Sequence, residues 1–240
     1  MIAFPHAGGS ASYFFPLAEA LRRAAVPLEL DILAVQYPGR QERRLEPCIG
    51  DLRTLAELAA EELLPFTDRP LVFFGHSMGA MVAFEVAQRF EQQHGTTPLM
   101  FFASGRGAPA TARRDALHRL PDQAIIDELG LLDGTNSALL SDPEVLKMVM
   151  PAIRADYQAV ETYTYRPAPP LRCPVHVVVG DSDPRVSEES AQAWAQHTEG
   201  GHRLSVFDGG HFYLKDQQDA LVDTIVDRLN TLSVQRSAHG

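Results

Sequence analysis

The sequence predicts an α/β fold: one mostly parallel central sheet with helices on both faces and a helical insertion. Three observations predict it. Short apolar runs alternate with longer stretches of helical period along the 240 residues. The run LVFFG at 71–75 is apolar without interruption, as a strand buried on both faces requires. The rhythm then breaks between 105 and 170, a stretch too long for a simple crossover, where two amphipathic segments and no clear strand appear.

The elements follow in order. IAF at 2–4 is a strand end, leading through a glycine loop to a helical run at 13–24. LELDILAVQY at 28–37 predicts a strand. After a loop with Pro38 and Gly39, DLRTLAELAAEELLPF sets Leu52, Leu55, Ala59 and Leu63 on one helix face, with Asp51 as the N-cap. Strands are expected at 71–75, 99–104, 175–180 and 203–207, and helices at 78–93, 188–197 and 216–232. The insertion, about 106–170, should form a lid over the C-terminal edge of the sheet, with Pro151 kinking or dividing its second part. No repeat or low-complexity segment divides the chain. Residues 1–232 therefore read as a single domain and 233–240, SVQRSAHG, as a disordered tail.

Composition excludes several functions. A formal charge of −10 and a pI near 5.3 argue against nonspecific binding to nucleic acid or anionic membranes. Cys48 and Cys173 have neither CxxC nor metal-ligand spacing, so two reduced thiols and no metal are expected. The start lacks the basic and apolar regions of a signal peptide, and no apolar run approaches the ~18 residues of a membrane span. The expectation is a cytoplasmic monomer.

Gly75-His76-Ser77-Met78-Gly79 fits G-x-S-x-G between a buried strand and a helix. A strand that turns at once into a helix strains its turn residue and demands small neighbours on either side. The turn then projects the Ser77 hydroxyl clear of the sheet, toward the N–H groups and positive dipole end of the helix. His76 should point away and serve packing.

A nucleophilic serine needs a base, and the base an orienting acid. In α/β-hydrolases the chain order is serine, acid, histidine. After 175–180 comes DSDP, offering Asp181 and Asp183; after 203–207 comes DGGHF, offering His211. Both lie past C-terminal strand ends, where such sheets place ligands. Asp183 is favoured over Asp181 because Pro184 stiffens its loop. Among nine histidines only His211 follows an acid and a strand and precedes the final helix. His176 and His202 sit at strand starts, and His94, His118, His197 and His239 read as surface or loop residues. For the oxyanion, Met78 N–H is one donor. The loop FPHAGGS supplies the other, Ala7 first and Gly8 as the fallback. No GK[ST] follows these glycines, which argues against a phosphate loop.

Together, FPHAGGSAS at 4–12, QYPGRQERR at 36–44, FFGHSMGAMVAFEVA at 73–87, GDSDPRV at 180–186 and GGHFYL at 209–214 resemble the type II thioesterases. These are free-standing editing hydrolases of polyketide and nonribosomal peptide assembly lines, with the α/β-hydrolase fold. The likeness runs from the first residue to about 232, and QYPGRQ is its most specific piece. It implies a triad at Ser77, Asp183 and His211, and removal of acyl units from the phosphopantetheine arm of acyl or peptidyl carrier domains. The pantetheine belongs to the substrate, so no cofactor is implied. The stretch SGRGAP at 104–109 carries no acid, which matches the free-standing type rather than many thioesterase domains fused to assembly lines. Such proteins carry a short leader and more of the first strand before FPHAGG, so a shortened sheet edge is expected here.

Met148, Met150, Ile153, Tyr157 and Val160 of the lid offer an apolar wall suited to varied short acyl chains. Carrier domains are acidic, so docking should use Arg40, Arg43 and Arg44, or Arg113 and Arg114. Two rivals remain: a general carboxylesterase or lipase with the same triad, and a non-catalytic hydrolase fold used for binding.

Overall fold

The computed structural model describes residues 1–24, 30–111, 115–133 and 142–237. Among these residues six strands form one sheet: β1 Ile2–Phe4, β2 Leu33–Ala34, β3 Val72–His76, β4 Met100–Ser104, β5 Val175–Gly180 and β6 His202–Phe207. Their order is β2-β1-β3-β4-β5-β6, and every neighbouring pair is parallel. Of the strand expected over 28–37, residues 28 and 29 lie outside the described residues, and within 30–37 only Leu33–Ala34 is strand, because only Ile2 and Ala3 of the short β1 pair with it.

The uninterrupted apolar runs have a simple cause. Side chains alternate across a sheet, so a strand covered on both faces needs apolar residues at every position. Phe73, Phe101, Val175, Val177 and Val179 face one core with α2, Leu52–Leu63, and α3, Met78–Gln93. Val72, Phe74, Met100, Phe102 and Val178 face the other, with α1, Phe15–Arg23, and the C-terminal helix Gln218–Ser237. Helix α2 begins where the sequence predicts: the Asp51 carboxylate accepts the Thr54 N–H at 2.8 Å, a cap worth about 1 kcal/mol.

The insertion between β4 and β5 contains α4, Asp122–Asp133, and α5, Pro143–Thr162. Ile125, Met150 and Ile153 form a small core between them. Helix α5 passes through Pro151 undivided. Pro151 and Lys147 are both exposed, so the carbonyl that loses its helical partner can bond to water. The short helix α6, Glu188–Gln192, continues as a 3-10 turn through His197. The final helix, α7, runs on to Ser237, past the expected boundary at 232. No glycine or proline stops the helix over 233–237, and residues 238–240 of the expected tail lie outside the described residues. No described helix is long and apolar enough to cross a membrane.

Candidate active site

The turn between β3 and α3 is a single residue, Ser77, at φ 54° and ψ −115°. A serine holds this strained conformation only when its surroundings compel it. A Cβ on Gly75 would run into the backbone of Gly79 and Ala80, and one on Gly79 into the carbonyls of Phe4 and Pro5. The glycines therefore let helix and sheet meet closely enough to enforce the turn.

The hydroxyl so presented meets His211, whose Nε2 lies 2.9 Å from Ser77 Oγ. On the other side of the ring, Nδ1 lies 2.8 Å from Asp183 Oδ2. Both His211 and Asp183 are buried. The second Asp183 oxygen accepts the Arg185 N–H at 2.8 Å, which fixes the carboxylate plane. Asp181 has a different task. It is exposed and accepts the Gly209 N–H at 3.0 Å and the Ser182 hydroxyl at 2.9 Å. The Gly209 bond, with help from Ser182, holds its carboxyl below the ordinary range. Asp181 thus ties the β5 loop to the loop that carries His211.

A second buried chain lies behind the first. His76 Nδ1 is 2.9 Å from Ser104 Oγ, which is 2.8 Å from Tyr213 OH. The His76 ring packs 5.2 Å from the His211 ring, and burial followed by the nearby His211 pushes the His76 pKa well down. A neutral His76 adds no charge beside the imidazole. Ser104 and Tyr213 fall within the quoted stretches SGRGAP and GGHFYL, but nothing in those stretches shows that the two side chains meet His76. His197, expected near the surface, is buried against Trp194, Tyr165 and Phe84.

Two backbone N–H groups are the candidates for the oxyanion. Met78 N–H opens α3, and Ala7 lines the same cavity as Ser77 and His211. Gly8 is withdrawn as the fallback donor, because its N–H already bonds to Asp156 Oδ2 at 2.7 Å. The cavity, about 640 Å³, runs from Ser77 and His211 under the lid, past Arg106, Tyr157, Val160 and Glu161. That volume suits a small-molecule-sized group. Burial lowers the Arg106 pKa to about 10.

The lid prediction is corrected in part. Tyr157 and Val160 line the cavity, but Met148 is 62% exposed on the outer side of α5. Met150 and Ile153 pack against Ile125 within the lid instead. Helical phase sets Met148 apart, on the side of α5 opposite Met150, Ile153, Tyr157 and Val160; of those four, Met150 and Ile153 are covered by Ile125 of α4. Arg40, expected as a docking cation, is only 9% exposed and bonded to buried Asp156. Arg43 pairs with Glu46 and donates to the Gln36 carbonyl at 2.7 Å. Arg44 is exposed. Arg113 and Arg114 lie outside the described residues.

A hydroxyl, an imidazole and a carboxylate in series can attack an acyl carbon. A family model described as "Thioesterase domain" matches residues 1–229. A probable cadicidin biosynthesis thioesterase of Streptomyces griseus is 46% identical over 96% of this chain and 62% of its own length. The chain thus spans less than two thirds of that relative. Thioesterase PikA5 of Streptomyces venezuelae is 44% identical over 95% of this chain and 80% of its own. The structure of the type II thioesterase BorB, from the borrelidin biosynthetic cluster, superposes with a TM-score of 0.86 at 45% identity, covering 95% of this chain and 91% of that one.

Proposed function

The chain belongs to the thioesterase domain family, and from that premise we propose that it hydrolyses acyl thioesters held on the phosphopantetheine arm of acyl or peptidyl carrier domains. The observation that carries the reading is the continuous Ser77–His211–Asp183 chain at the mouth of a lidded cavity. Relatives named for cadicidin biosynthesis and for a borrelidin biosynthetic cluster support the setting, an assembly line from which stalled acyl units are cleared.

In this reading Ser77 Oγ attacks the thioester carbon while His211 Nε2 takes its proton. Asp183 holds the imidazole and the positive charge that forms on it. Met78 and Ala7 N–H groups bind the oxyanion, each such donor being worth roughly 3 kcal/mol in the transition state. Collapse breaks the C–S bond, and the pantetheine sulfur leaves with the proton from His211. Water then attacks the acyl-enzyme, giving its proton to His211. The second collapse releases the carboxylic acid and restores Ser77. The enzyme needs no cofactor of its own and works as a cytoplasmic monomer. Arg44, with Arg43 beside it, supplies the positive surface for an acidic carrier.

The test is hydrolysis of acyl-loaded carrier domains, acyl-pantetheine and a matched oxygen ester by the wild-type protein and Ser77→Ala. We expect thioester cleavage at least tenfold faster than ester cleavage, and none with Ser77→Ala. Preference for the oxygen ester, or activity surviving the loss of Ser77, overturns the proposal.

A further inference from the structure

QYPGRQ is the motif that acyl-transfer chemistry alone does not require, and its side chains point to one place. Gln36 Oε1 accepts the Ala11 N–H at 2.7 Å. Tyr37 OH donates to the Pro5 carbonyl at 3.4 Å. Gln41 Nε2 reaches the hydroxyls of Ser10 and Ser12 at 2.9 and 2.8 Å. Arg40 Nη1 donates to the Gly9 carbonyl at 3.0 Å. Pro5, Gly9, Ser10, Ala11 and Ser12 belong to the loop that carries Ala7.

Arg40 completes the grip through the lid. Its Nη1 and Nη2 bond to Asp156 Oδ2 and Oδ1 at 2.7 and 2.9 Å. Nε and Nη2 both donate to the Pro38 carbonyl at 3.3 Å. Counting the Gly9 bond, all five guanidinium donors are used. Asp156 lies on α5 and is 1% exposed. Its Oδ2 also accepts the Gly8 N–H. Gly8, at φ +75°, sits so close to α5 that a Cβ there would be 2.9 Å from Ile153 Cγ1. The loop is therefore fixed on both sides of Ala7, at Pro5 and at Gly8–Gly9.

We propose that Arg40 and Asp156 are positioning residues for the reaction: they hold the 4–12 loop so that the Ala7 N–H faces the oxyanion. Neither touches the reacting atoms. Ala7 and Gly8 form a turn closed by the Gly9 N–H on the His6 carbonyl at 2.9 Å; the turn sets the local shape, and the buried fork and the lid helix that carries Asp156 set its place against Ser77. An oxyanion donor acts in the transition state and little in the ground state. Loss of the fork thus lowers kcat and leaves KM in place.

This inference rests on the acyl-transfer reading above. Its test compares the wild-type protein with Arg40→Lys and Asp156→Asn. Lysine keeps a charge paired with Asp156 but cannot span both carboxylate oxygens and two carbonyls, so it decides the matter if Asp156→Asn does not fold. Three quantities are measured: kcat and KM on acyl-pantetheine, affinity for an alkyl boronic acid that forms a tetrahedral adduct on Ser77, and the acidic limb of the pH profile. We expect kcat to fall at least thirtyfold with KM within threefold, boronic acid affinity to fall by a similar factor, and the acidic limb to stay in place because His211 is untouched. A folded Arg40→Lys protein with wild-type kcat and boronic acid affinity overturns the proposal, as does a loss confined to KM or a shifted acidic limb. If the wild-type protein cleaves no thioester, the reading of its function fails, and boronic acid affinity still judges the fork.

Discussion

Replacing Asp183 with asparagine tests the triad with an isosteric change, and the structure fixes how the amide must sit. One Asp183 oxygen accepts the Arg185 N–H at 2.8 Å, and the other faces His211 Nδ1 at 2.8 Å. In Asp183→Asn the carbonyl oxygen must keep the Arg185 bond, since an NH2 group there would meet a donor. The NH2 group is then aimed at Nδ1, which must present a lone pair. The ring proton moves to Nε2, pointing at Ser77, and the base is lost. An inverted tautomer of this kind costs about 10⁴ in kcat, or ~5 kcal/mol of barrier. The assay is thiol release from acyl-pantetheine, followed spectrophotometrically, with thermal melting to show that the fold persists. Asp181→Asn is the comparator: its carboxylate is exposed and only ties loops, so kcat should stay within threefold. An Asp183→Asn protein that keeps more than a tenth of wild-type kcat would refute the assignment of the acid.

Three further outcomes are expected. Gly79→Ala drives a methyl group into the Phe4 and Pro5 carbonyls and should cost more than ~4 kcal/mol or prevent folding. Gly95→Ala, with open space and φ +65°, should cost about 1 kcal/mol; equal denaturation midpoints for the two would contradict the steric account of the turn. Tyr157→Ala should change the preference among acetyl, butyryl and octanoyl thioesters about tenfold, whereas Met148→Ala should leave it unchanged; the opposite pattern would move the cavity wall. Stability should fall from pH 7.5 to pH 5. Burial lowers the His6 pKa to about 3 and holds His76 well below its ordinary value, while the unfolded chain takes up these protons near pH 6.5. A depressed folded pKa favours the native state above the unfolded pKa and disfavours it progressively below, by about 2 kcal/mol per histidine at pH 5. Urea midpoints that are flat across this window, which lies above the carboxylate range, would show that these rings are protonated in place.

Much of the fold was legible because strand burial and helix period act locally. Helix 78–93 and strand 175–180 fall at the expected residues, since both are buried nearly all round over long apolar runs, and their lengths tell helix from strand. Strand 28–37 was not legible to its true length, because its extent depends on the partner strand and not on its own residues. The Ser77, Asp183 and His211 positions could be read from chain order and strand ends. The role of Arg40 could not. A charged residue in a polar loop reads as surface until its acid is known, and that acid, Asp156, is 116 residues away on the lid. The lid methionines misled for a similar reason: composition names an adaptable residue, but helical phase turns Met148 outward, and contact with Ile125 of the distant α4 covers Met150.

The two oxyanion donors show why these features occur together. Met78 N–H needs no outside support, because it is the first turn of a helix locked by Gly75, Ser77 and Gly79. Ala7 N–H belongs to no helix or strand; its turn is closed by one bond, Gly9 N–H to the His6 carbonyl, which does not by itself place the turn against Ser77. A generic hydrolase can solve this with any local packing. Here the solution recruits a separate loop and a buried acid from the insertion, so the part of the chain that covers the substrate also takes part in aiming the catalyst. The lid helix is then a component of the oxyanion site as well as a roof, and substitutions on the buried side of α5 should be read for effects on kcat before effects on acyl selectivity.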